Sequence, residues 1–310
     1  MTGLHVPWGL VFFVDGSALV SERTTGKILR IPPGGGTPRV VMDVPGVNPT
    51  GEGGLLGLAL SPSYATDKLV YAYLTTSRDN RIVRFKLSGS LQPIVTGIDY
   101  ASNHNGGRIA FGPDGKLYAG VGDAAAPSNS QNKNSRNGKI LRINPDGSVP
   151  SDNPFGSLVW TYGHRNVQGL AWDTGGRLWA TEFGQNSFDE VNLIQKGRNY
   201  GWPNVEGRGD TQGGRYTNPT VVWSTNEASP SGNAVVGNTL YVAALRGQCL
   251  WRVPLRGSNA GTPSRILNND YGRLRTVMRA PDGALWVMTS NRDGRGNPRS
   301  GDDRIVRVPV

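Results

Sequence analysis

The chain has 310 residues, of which only 36% are hydrophobic while 44 are glycine and 21 are proline, a composition typical of short strands joined by tight turns. The net charge of +10 would suit a polyanionic partner, but the arginines are spread among turns and strand ends without a basic run, so we expect no nucleic-acid partner. No apolar run reaches the length of a membrane helix, and no signal peptide is visible at the start. A single cysteine, Cys249, excludes an internal disulfide, and its apolar neighbours predict a buried, inert thiol.

An apolar strand followed by a turn and a second strand recurs six times along the chain. The six opening strands are, in chain order, Gly9–Phe12, Gly57–Leu60, Gly107–Phe111, Gly169–Trp172, Gly232–Val235 and Thr276–Met278. Four of them are followed by Asp-Gly or Gly-Gly, at residues 15–16, 114–115, 175–176 and 282–283. These dipeptides favour hairpin turns because a positive φ costs little there. The second and fifth units continue instead into the apolar strands Leu69–Tyr71 and Leu240–Val242.

A shorter strand with alternating apolar and basic residues follows these hairpins. The string Gly-Lys-Ile-Leu-Arg-Ile occurs twice, at residues 26–31 and 138–143, and related strands lie at 81–85, 249–253 and 304–308. Such period-two alternation indicates half-buried strands, which we assign to the outer part of each unit. Six units of about 50 residues match four-stranded propeller blades. The sequence therefore predicts one all-β domain over residues 1–310, a six-bladed β-propeller of four-stranded antiparallel blades; a β-sandwich or two β-domains is the alternative, and ring closure is not predicted.

The function of a propeller has to be inferred from particular residues, because this fold hosts many activities. His5 lies near the start of the chain, where we interpret it as structural. His104 and His164 lie in polar, glycine-rich connections, where catalytic groups are commonly displayed. These positions make both histidines candidate functional residues, and an imidazole, which ordinarily titrates near about pH 6.5, can accept a proton at neutral pH.

Longer strings around these histidines resemble the soluble glucose dehydrogenases and aldose sugar dehydrogenases that depend on pyrroloquinoline quinone (PQQ). The matching strings follow one another through nearly the whole chain, at Glu22–Lys27, Gly54–Gly57, Asn103–Asp123, Gly138–Pro154, Tyr162–Leu170, Asp189–Ile194 and Asn199–Pro203. The resemblance implies a quinoprotein oxidoreductase that oxidises aldose sugars at C1 to lactones, passing hydride to PQQ and electrons to an external acceptor. Because the connection at 202–231 is short, the aldose sugar dehydrogenase branch fits better. That branch implies a monomer with a broad range of sugars, and the family implies a periplasmic or extracellular location.

The resemblance also implies roles for individual residues. His104 is predicted to be the general base that removes the C1 hydroxyl proton, with Asp189 assisting or orienting it. Arg165 and Asn166 match the pair that reaches the quinone oxygens, where a fixed cation stabilises growing negative charge. Three more arginines match cations that bind the three PQQ carboxylates through their planar forks, namely Arg246, Arg273 and Arg275. Glu52 aligns with a residue of the sugar pocket and is predicted to hydrogen-bond a sugar hydroxyl.

Two calcium ions are implied as well, and calcium prefers oxygen ligands, including backbone carbonyls. Gly184 and Gln185 match the loop whose successive carbonyls bind the ion beside PQQ. This loop departs from the family at Phe183, where Gln, His or Asn is usual, and at Gln185, where Pro is usual, so its rigidity is not predicted. The predicted ligands of the second, structural ion are the carbonyls of Glu206 and Arg208 and the carboxylate of Asp210.

Two other functions stay open at the level of sequence. A calcium-dependent propeller lactonase would need acidic residues clustered around a central metal ion, and this chain is richer in candidate arginines than in such acids. A non-catalytic sugar-binding propeller that has lost PQQ is favoured only by the departures at Phe183 and Gln185.

Overall fold

A computed structural model describes residues 1–310 and contains six antiparallel sheets in chain order. The strands of the first three are β1 (Pro7–Phe12), β2 (Ala18–Glu22), β3 (Lys27–Ile31) and β4 (Arg39–Asp43); β5 (Leu55–Leu60), β6 (Val70–Thr75), β7 (Asn80–Phe85) and β8 (Gln92–Ile98); and β9 (Ile109–Phe111), β10 (Leu117–Val121), β11 (Lys139–Ile143) and β12 (Val159–Tyr162). The strands of the last three are β13 (Val167–Trp172), β14 (Leu178–Glu182), β15 (Phe188–Ile194) and β16 (Val221–Ser224); β17 (Pro230–Val236), β18 (Thr239–Ala244), β19 (Cys249–Arg256), β20 (Asn259–Ala260) and β21 (Ser264–Ile266); and β22 (Leu274–Arg279), β23 (Leu285–Thr289) and β24 (Ile305–Val308). The single-turn helices α1 (Tyr64–Asp67) and α2 (Ser128–Gln131) lie in connections, and neither could cross a membrane.

The six sheets form a ring of blades. The first strand of each blade contacts the first strand of the next, from β1 through β5, β9, β13 and β17 to β22, and β22 contacts β1. In the fifth blade the fourth position is split between β20 and β21, which both pair with β19. The predicted six-bladed β-propeller of antiparallel blades is therefore confirmed.

Ring closure is achieved by the first residues of the chain, which pair with the last blade. That blade has three strands of its own, and residues 1–4 occupy its fourth position. Leu4 and Asp303 exchange both backbone hydrogen bonds, at 2.9 and 3.1 Å, and the Ile305 N–H donates to the Met1 carbonyl at 2.9 Å. Leu4 is also buried in the same apolar cluster as Trp286 and Ile305. The start of the chain thus completes the blade formed by its end, which the sequence patterns did not predict.

The repeated strings correspond to an ion pair that recurs in equivalent places. In three blades an aspartate in the turn after the first strand contacts an arginine on the third strand; the pairs are Asp15–Arg30 at 3.3 Å, Asp114–Arg142 at 2.9 Å and Asp282–Arg307 at 2.9 Å. The first and third of these pairs are exposed and contribute at most about 1 kcal/mol each, while Arg142 of the second is buried. They explain the sequence repeat better than they explain the stability of the ring.

Aromatic pairs fill the spaces between neighbouring blades and supply much of the packing. Ring centroids lie 4.9 to 5.2 Å apart in the pairs Phe12–Trp286, Phe13–Tyr64, Tyr71–Phe111, Tyr118–Trp172 and Trp223–Trp251, which cover five of the six blade interfaces. Such pairs contribute roughly 0.5–1.5 kcal/mol beyond the area they bury. Cys249 is fully buried in one of these layers, and burial raises the pKa of its thiol to about 11, so the predicted inert thiol is found.

The antiparallel topology brings two sets of connections to one end of the ring. The connection before each first strand and the connection from the second to the third strand both lie at this end, because the second strand runs back towards the start of the first. All predicted site residues except Glu206, Arg208 and Asp210, which lie between β15 and β16, fall in these connections or at the strand ends next to them. The fold therefore gathers them around the centre of one face.

Candidate active site

His104 lies in the connection before β9, and its ring is held by Asp123. His104 Nδ1 lies 2.8 Å from Asp123 Oδ1, and the buried Asp123 carboxylate also accepts hydrogen bonds from Trp202 Nε1 at 2.8 Å and from the Ala125 N–H at 2.9 Å. Because an ionised carboxylate only accepts hydrogen bonds, Nδ1 carries the proton in this pair. Nε2 is then the nitrogen that can take a proton from a substrate.

The backbone of His104 is fixed in an uncommon conformation. Its φ is +57°, in the left-handed region that costs a residue other than glycine about 1–3 kcal/mol. Gly122 packs against it so closely that a Cβ on Gly122 would lie 1.8 Å from the His104 carbonyl oxygen. The His104 N–H donates to Glu52 Oε2 at 3.1 Å, while Glu52 Oε1 accepts a hydrogen bond from Arg295 at 2.6 Å. Glu52 therefore joins His104 to the opposite wall of the site.

A cavity of about 230 Å³ opens at the centre of the ring beside Glu52. Its lining comes from five connections and three strands. The lining residues are Trp8, Arg23, Gly51, Glu52, Gln168, Phe183, Leu245, Arg275, Asp293, Gly294 and Arg295. Three arginines thus face two carboxylates within one small space. The cavity suits a compact, polar and negatively charged ligand.

Two of the arginines in this lining keep buried N–H groups without a partner. Arg275 donates Nη1 to Gln168 Oε1 at 2.7 Å, and Arg23 donates Nη1 to the Gly51 carbonyl, but the Nε of each is buried and unpaired. Burial lowers the pKa of Arg275 to about 10. A buried donor left unpaired costs about 1–3 kcal/mol, so these atoms favour a ligand that supplies acceptor oxygens.

Asp293 is the main counter-charge in the cavity. Its Oδ2 lies 3.0 Å from Arg273 Nη2 and 3.5 Å from Arg275 Nη2. Burial alone would raise the pKa of Asp293, but Arg275 and Arg273 outweigh it and the pKa is lowered. Asp293 therefore stays ionised and holds two of the predicted cofactor-binding arginines, Arg273 and Arg275, next to each other.

Arg108 lies behind the lining and has no carboxylate partner. Its guanidinium stacks over the Trp8 ring at 4.2 Å and donates to the Gln168 carbonyl at 2.8 Å and to Thr276 Oγ1 at 2.9 Å. Burial, and secondarily the charge of Arg275, lowers the pKa of Arg108 to about 9. Arg108 thus adds positive charge directly behind the lining residues Trp8 and Gln168.

Arg165 and Asn166, the pair predicted to reach the quinone oxygens, lie in the connection before β13. The Arg165 guanidinium donates to Gln185 Oε1 at 2.9 Å and to the Phe183 carbonyl at 3.2 Å, and burial lowers its pKa. Asn166 Oδ1 accepts the Gly106 N–H at 3.0 Å, while its Nδ2 is buried without a partner. The unpaired Nδ2 of Asn166 is therefore a third free donor, beside the Nε atoms of Arg23 and Arg275.

The structure does not bring Asp189 to His104. Asp189 lies at the start of β15, where its two oxygens accept the N–H groups of Gly184 at 3.0 Å and Ser229 at 2.6 Å. Burial raises the pKa of Asp189 to about 6. The carboxylate that orients the histidine ring is Asp123, because its connection belongs to the same blade as β9 whereas β15 belongs to the next.

The predicted calcium ligands differ in how free and how exposed they are. The carbonyl oxygens of Gly184 and Gln185 accept no hydrogen bond from the chain, which leaves them free to bind a cation. Glu206 is half-buried, and its carboxylate is engaged by backbone amides; these lower its pKa, although burial alone would raise it. Arg208 and Asp210 are exposed. No group of three or more His, Cys, Asp or Glu side chains is arranged to hold a metal ion.

His164 and Arg246 lie outside the cavity lining. His164 is fully buried, with Nδ1 3.0 Å from Glu182 Oε1 and Nε2 2.9 Å from Thr161 Oγ1, so neither ring nitrogen is available to a substrate. Arg246 is exposed beside the cavity residue Leu245. We therefore interpret His164 as structural.

Sequence reasoning missed five charged side chains of the site: Arg23, Arg108, Asp123, Asp293 and Arg295. Three of them lie in strings that carry the family resemblance, so a search for a carboxylate near His104 would have had Asp123 as a candidate. Asp293 and Arg295 lie in an irregular stretch rich in arginine and glycine that gives no such signal.

The chain is similar to several known proteins over most of its length. The family model for glucose/sorbosone dehydrogenase matches residues 4–300. The PQQ-bound form of aldose sugar dehydrogenase from Streptomyces coelicolor is 50% identical, with a TM-score of 0.96 over 99% of this chain and 95% of that one. Aldose sugar dehydrogenase YliI from Escherichia coli is 28% identical over 94% of this chain and 89% of its own length. Quinoprotein glucose dehydrogenase B from Acinetobacter calcoaceticus is 35% identical over 70% of this chain and 54% of its own length. The range that the family model matches spans the cavity and the His104–Asp123 pair, and the chain belongs to the glucose/sorbosone dehydrogenase family.

Proposed function

We propose that this protein is a PQQ-dependent aldose sugar dehydrogenase that oxidises aldoses at C1 to lactones and passes the electrons to an external acceptor. The observation that carries the proposal is the His104–Asp123 pair, which adjoins a cavity with unpaired arginine donors. The Streptomyces relative, at 50% identity, was solved with PQQ bound, which supports the same cofactor here.

The chemistry of the cavity fits PQQ, which carries three carboxylates. Arg23 and Arg275 each present a buried Nε without a partner, and Asn166 presents an unpaired Nδ2. A polycarboxylate would supply the missing acceptors, and Arg273, held beside Arg275 by Asp293, adds a second guanidinium fork. PQQ, when bound, supplies the two-electron acceptor for the sugar. Arg165 would stabilise negative charge at its edge.

The chain itself would handle the proton. His104 Nε2 accepts the proton of the C1 hydroxyl, since Nδ1 is committed to Asp123. The buried Asp123 carboxylate then stabilises the imidazolium that forms. Glu52, held between the His104 N–H and Arg295, would accept a hydrogen bond from a sugar hydroxyl.

Calcium is part of the same proposal, with the free carbonyls of Gly184 and Gln185 as ligands beside PQQ. A second calcium at the Glu206 and Arg208 carbonyls and the Asp210 carboxylate is proposed from family resemblance. The monomeric state and the periplasmic or extracellular location are proposed on the same ground. A lactonase is not favoured, because its metal centre needs clustered acidic side chains and none is present.

The test is dye reduction by the purified protein with PQQ, calcium and a panel of aldoses. His104→Ala is expected to lower turnover by about 10² to 10⁴-fold while leaving PQQ binding intact, because only the proton acceptor is removed. His5→Ala, which removes an exposed histidine, is the matched control and should be neutral. Absence of dye reduction with every aldose, together with no PQQ absorbance retained after desalting, would refute the proposal.

A further inference from the structure

The segment Gly184–Phe188, between the end of β14 and the start of β15, donates all five of its backbone N–H groups to carboxylates. The Gly184 N–H donates to Asp189 Oδ1 at 3.0 Å. The next four N–H groups, those of residues 185–188, donate to one oxygen, Glu206 Oε1, at 2.7, 3.0, 3.0 and 3.1 Å. Glu206 belongs to a different connection, between β15 and β16, so the loop is folded around a side chain distant in sequence.

This arrangement determines where the carbonyls of the loop point. Successive amides that converge on one anion form a concave nest, and their carbonyls are turned away from that anion. The carbonyls of Gly184 and Gln185 accordingly accept no hydrogen bond from the chain. The carboxylate of Glu206 therefore exposes the two oxygens that the proposed cation site requires.

The position of Glu206 is itself fixed by its neighbours. The N–H of the next residue, Gly207, donates to the buried Glu190 carboxylate at 2.7 Å. A Cβ on Gly207 would lie 2.4 Å from the Phe188 ring, and a Cβ on Gly184 would lie 2.7 Å from Glu206 Oε1. Both glycines are needed for the loop to close on the carboxylate, so the nest is tightly built.

We infer that Glu206 is a positioning residue that shapes the Gly184–Gln185 turn for a hard cation, and that its carboxylate replaces the rigidity that proline gives this loop elsewhere in the family. Gln185 keeps the N–H that a proline lacks, and that N–H makes the shortest of the four bonds to Glu206. The inference rests on the proposed function, because it concerns the cation beside PQQ. It assigns the Glu206 side chain a role distinct from the carbonyl ligand predicted from sequence.

The experiment uses the full chain with PQQ and measures the calcium concentration at which half of the PQQ is retained after desalting. Glu206→Ala is expected to raise that concentration at least tenfold, and Glu206→Gln, whose amide oxygen still accepts hydrogen bonds, to raise it less. Adding Gln185→Pro to Glu206→Ala is expected to restore at least part of the lost calcium affinity, because the proline constrains the turn directly. Asp146→Ala is the matched control, since Asp146 holds the Ser148 N–H and hydroxyl in a turn at the other end of the ring.

The outcomes separate the inference from the proposed function. A calcium requirement within twofold of wild type in Glu206→Ala would overturn the inference alone, whatever happens to the melting temperature. If Glu206→Ala does not fold, an unchanged calcium requirement in Glu206→Gln has the same meaning, and a raised one supports the inference. A wild-type protein that retains no PQQ at any calcium concentration would overturn the proposed function and the inference with it.

Discussion

Replacement of Asp123 by asparagine tests the pairing on which the proposed chemistry depends. In the wild type Oδ1 accepts both His104 Nδ1 and the Ala125 N–H, and Oδ2 accepts Trp202 Nε1. An asparagine has one acceptor oxygen and one NH₂ group in the same space. Its NH₂ must therefore face either Trp202 Nε1–H or the Ala125 N–H, and the second orientation also forces the proton of His104 onto Nε2.

The size of the effect follows from these contacts. Either orientation removes one part-buried hydrogen bond, from Trp202 Nε1 or from the Ala125 N–H, so Asp123→Asn should lower the free energy of unfolding by about 1 kcal/mol. The loss of a charge against the imidazolium, together with the wrong tautomer in one orientation, should lower kcat by about 10² to 10⁴-fold. That range corresponds to roughly 3–5 kcal/mol of activation free energy.

The assay is steady-state dye reduction at saturating aldose, PQQ and calcium, with PQQ retention measured in parallel. Asp189→Asn is the informative comparison, because Asp189 contacts the Gly184–Phe188 loop and not His104. It should raise the calcium requirement while keeping kcat at saturating calcium within about tenfold of wild type. The reasoning is refuted if Asp123→Asn keeps kcat within threefold of wild type (~0.7 kcal/mol) while Asp189→Asn abolishes it at saturating calcium.

Three further substitutions test the packing around the site and the fold. In the dye assay, Gly122→Ala should lower kcat at least ~10-fold, because its Cβ would lie 1.8 Å from the His104 carbonyl oxygen. Gly89→Ala is the control and should be neutral, because its Cβ would lie no closer than 3.5 Å to any atom beyond the adjacent residues. Lys139 Nζ donates to three carbonyls, and burial lowers its pKa to about 7 from 10.5. Because the unfolded chain binds the proton more tightly between those pH values, the stability of the wild type against urea should rise with pH over that range. Lys139→Met should be less stable and should lack the rise. Leu4→Ala should cost about 2–5 kcal/mol of unfolding free energy in urea, and a value near zero would contradict the closing role of residues 1–4.

The fold was predictable because its signals are local. Period-two alternation, Asp-Gly turns and the repeated Gly-Lys-Ile-Leu-Arg-Ile string each act within about ten residues, and six copies leave little choice of architecture. Ring closure was not predictable from the same signals. The pairing of Leu4 with Asp303 joins positions at opposite ends of the chain, and residues 1–4 carry no alternation that marks them as a strand.

The candidate site was predictable in its membership more than in its contacts. The connections that carry His104, Arg165 and Arg275 were predicted from the repeat and the resemblance, and the ring gathers them at one face. Which carboxylate reaches His104 depends on how far apart two connections of one blade lie, a distance that no sequence spacing determines. The resemblance predicts Asp189 for this role, whereas the structure places Asp123 Oδ1 2.8 Å from His104 Nδ1, with Gly122 packed under His104 and Trp202 Nε1 donating to Asp123.

The departures from the family pattern at Phe183 and Gln185 show that contacts, and not residue types alone, decide what a loop can do. As a pattern they suggest a loosened loop and a lost polar contact, which would favour a propeller without its cofactor. In the folded chain the Gln185 side chain accepts a hydrogen bond from Arg165, and its N–H is held by Glu206. Phe183 keeps its carbonyl on Arg165 while its ring lines the cavity. The rigidity that a proline gives this loop in the family is thus supplied by Arg165 and Glu206, which belong to two other connections. A departure from a family motif is therefore evidence of lost function only when no residue close in space makes the missing contacts.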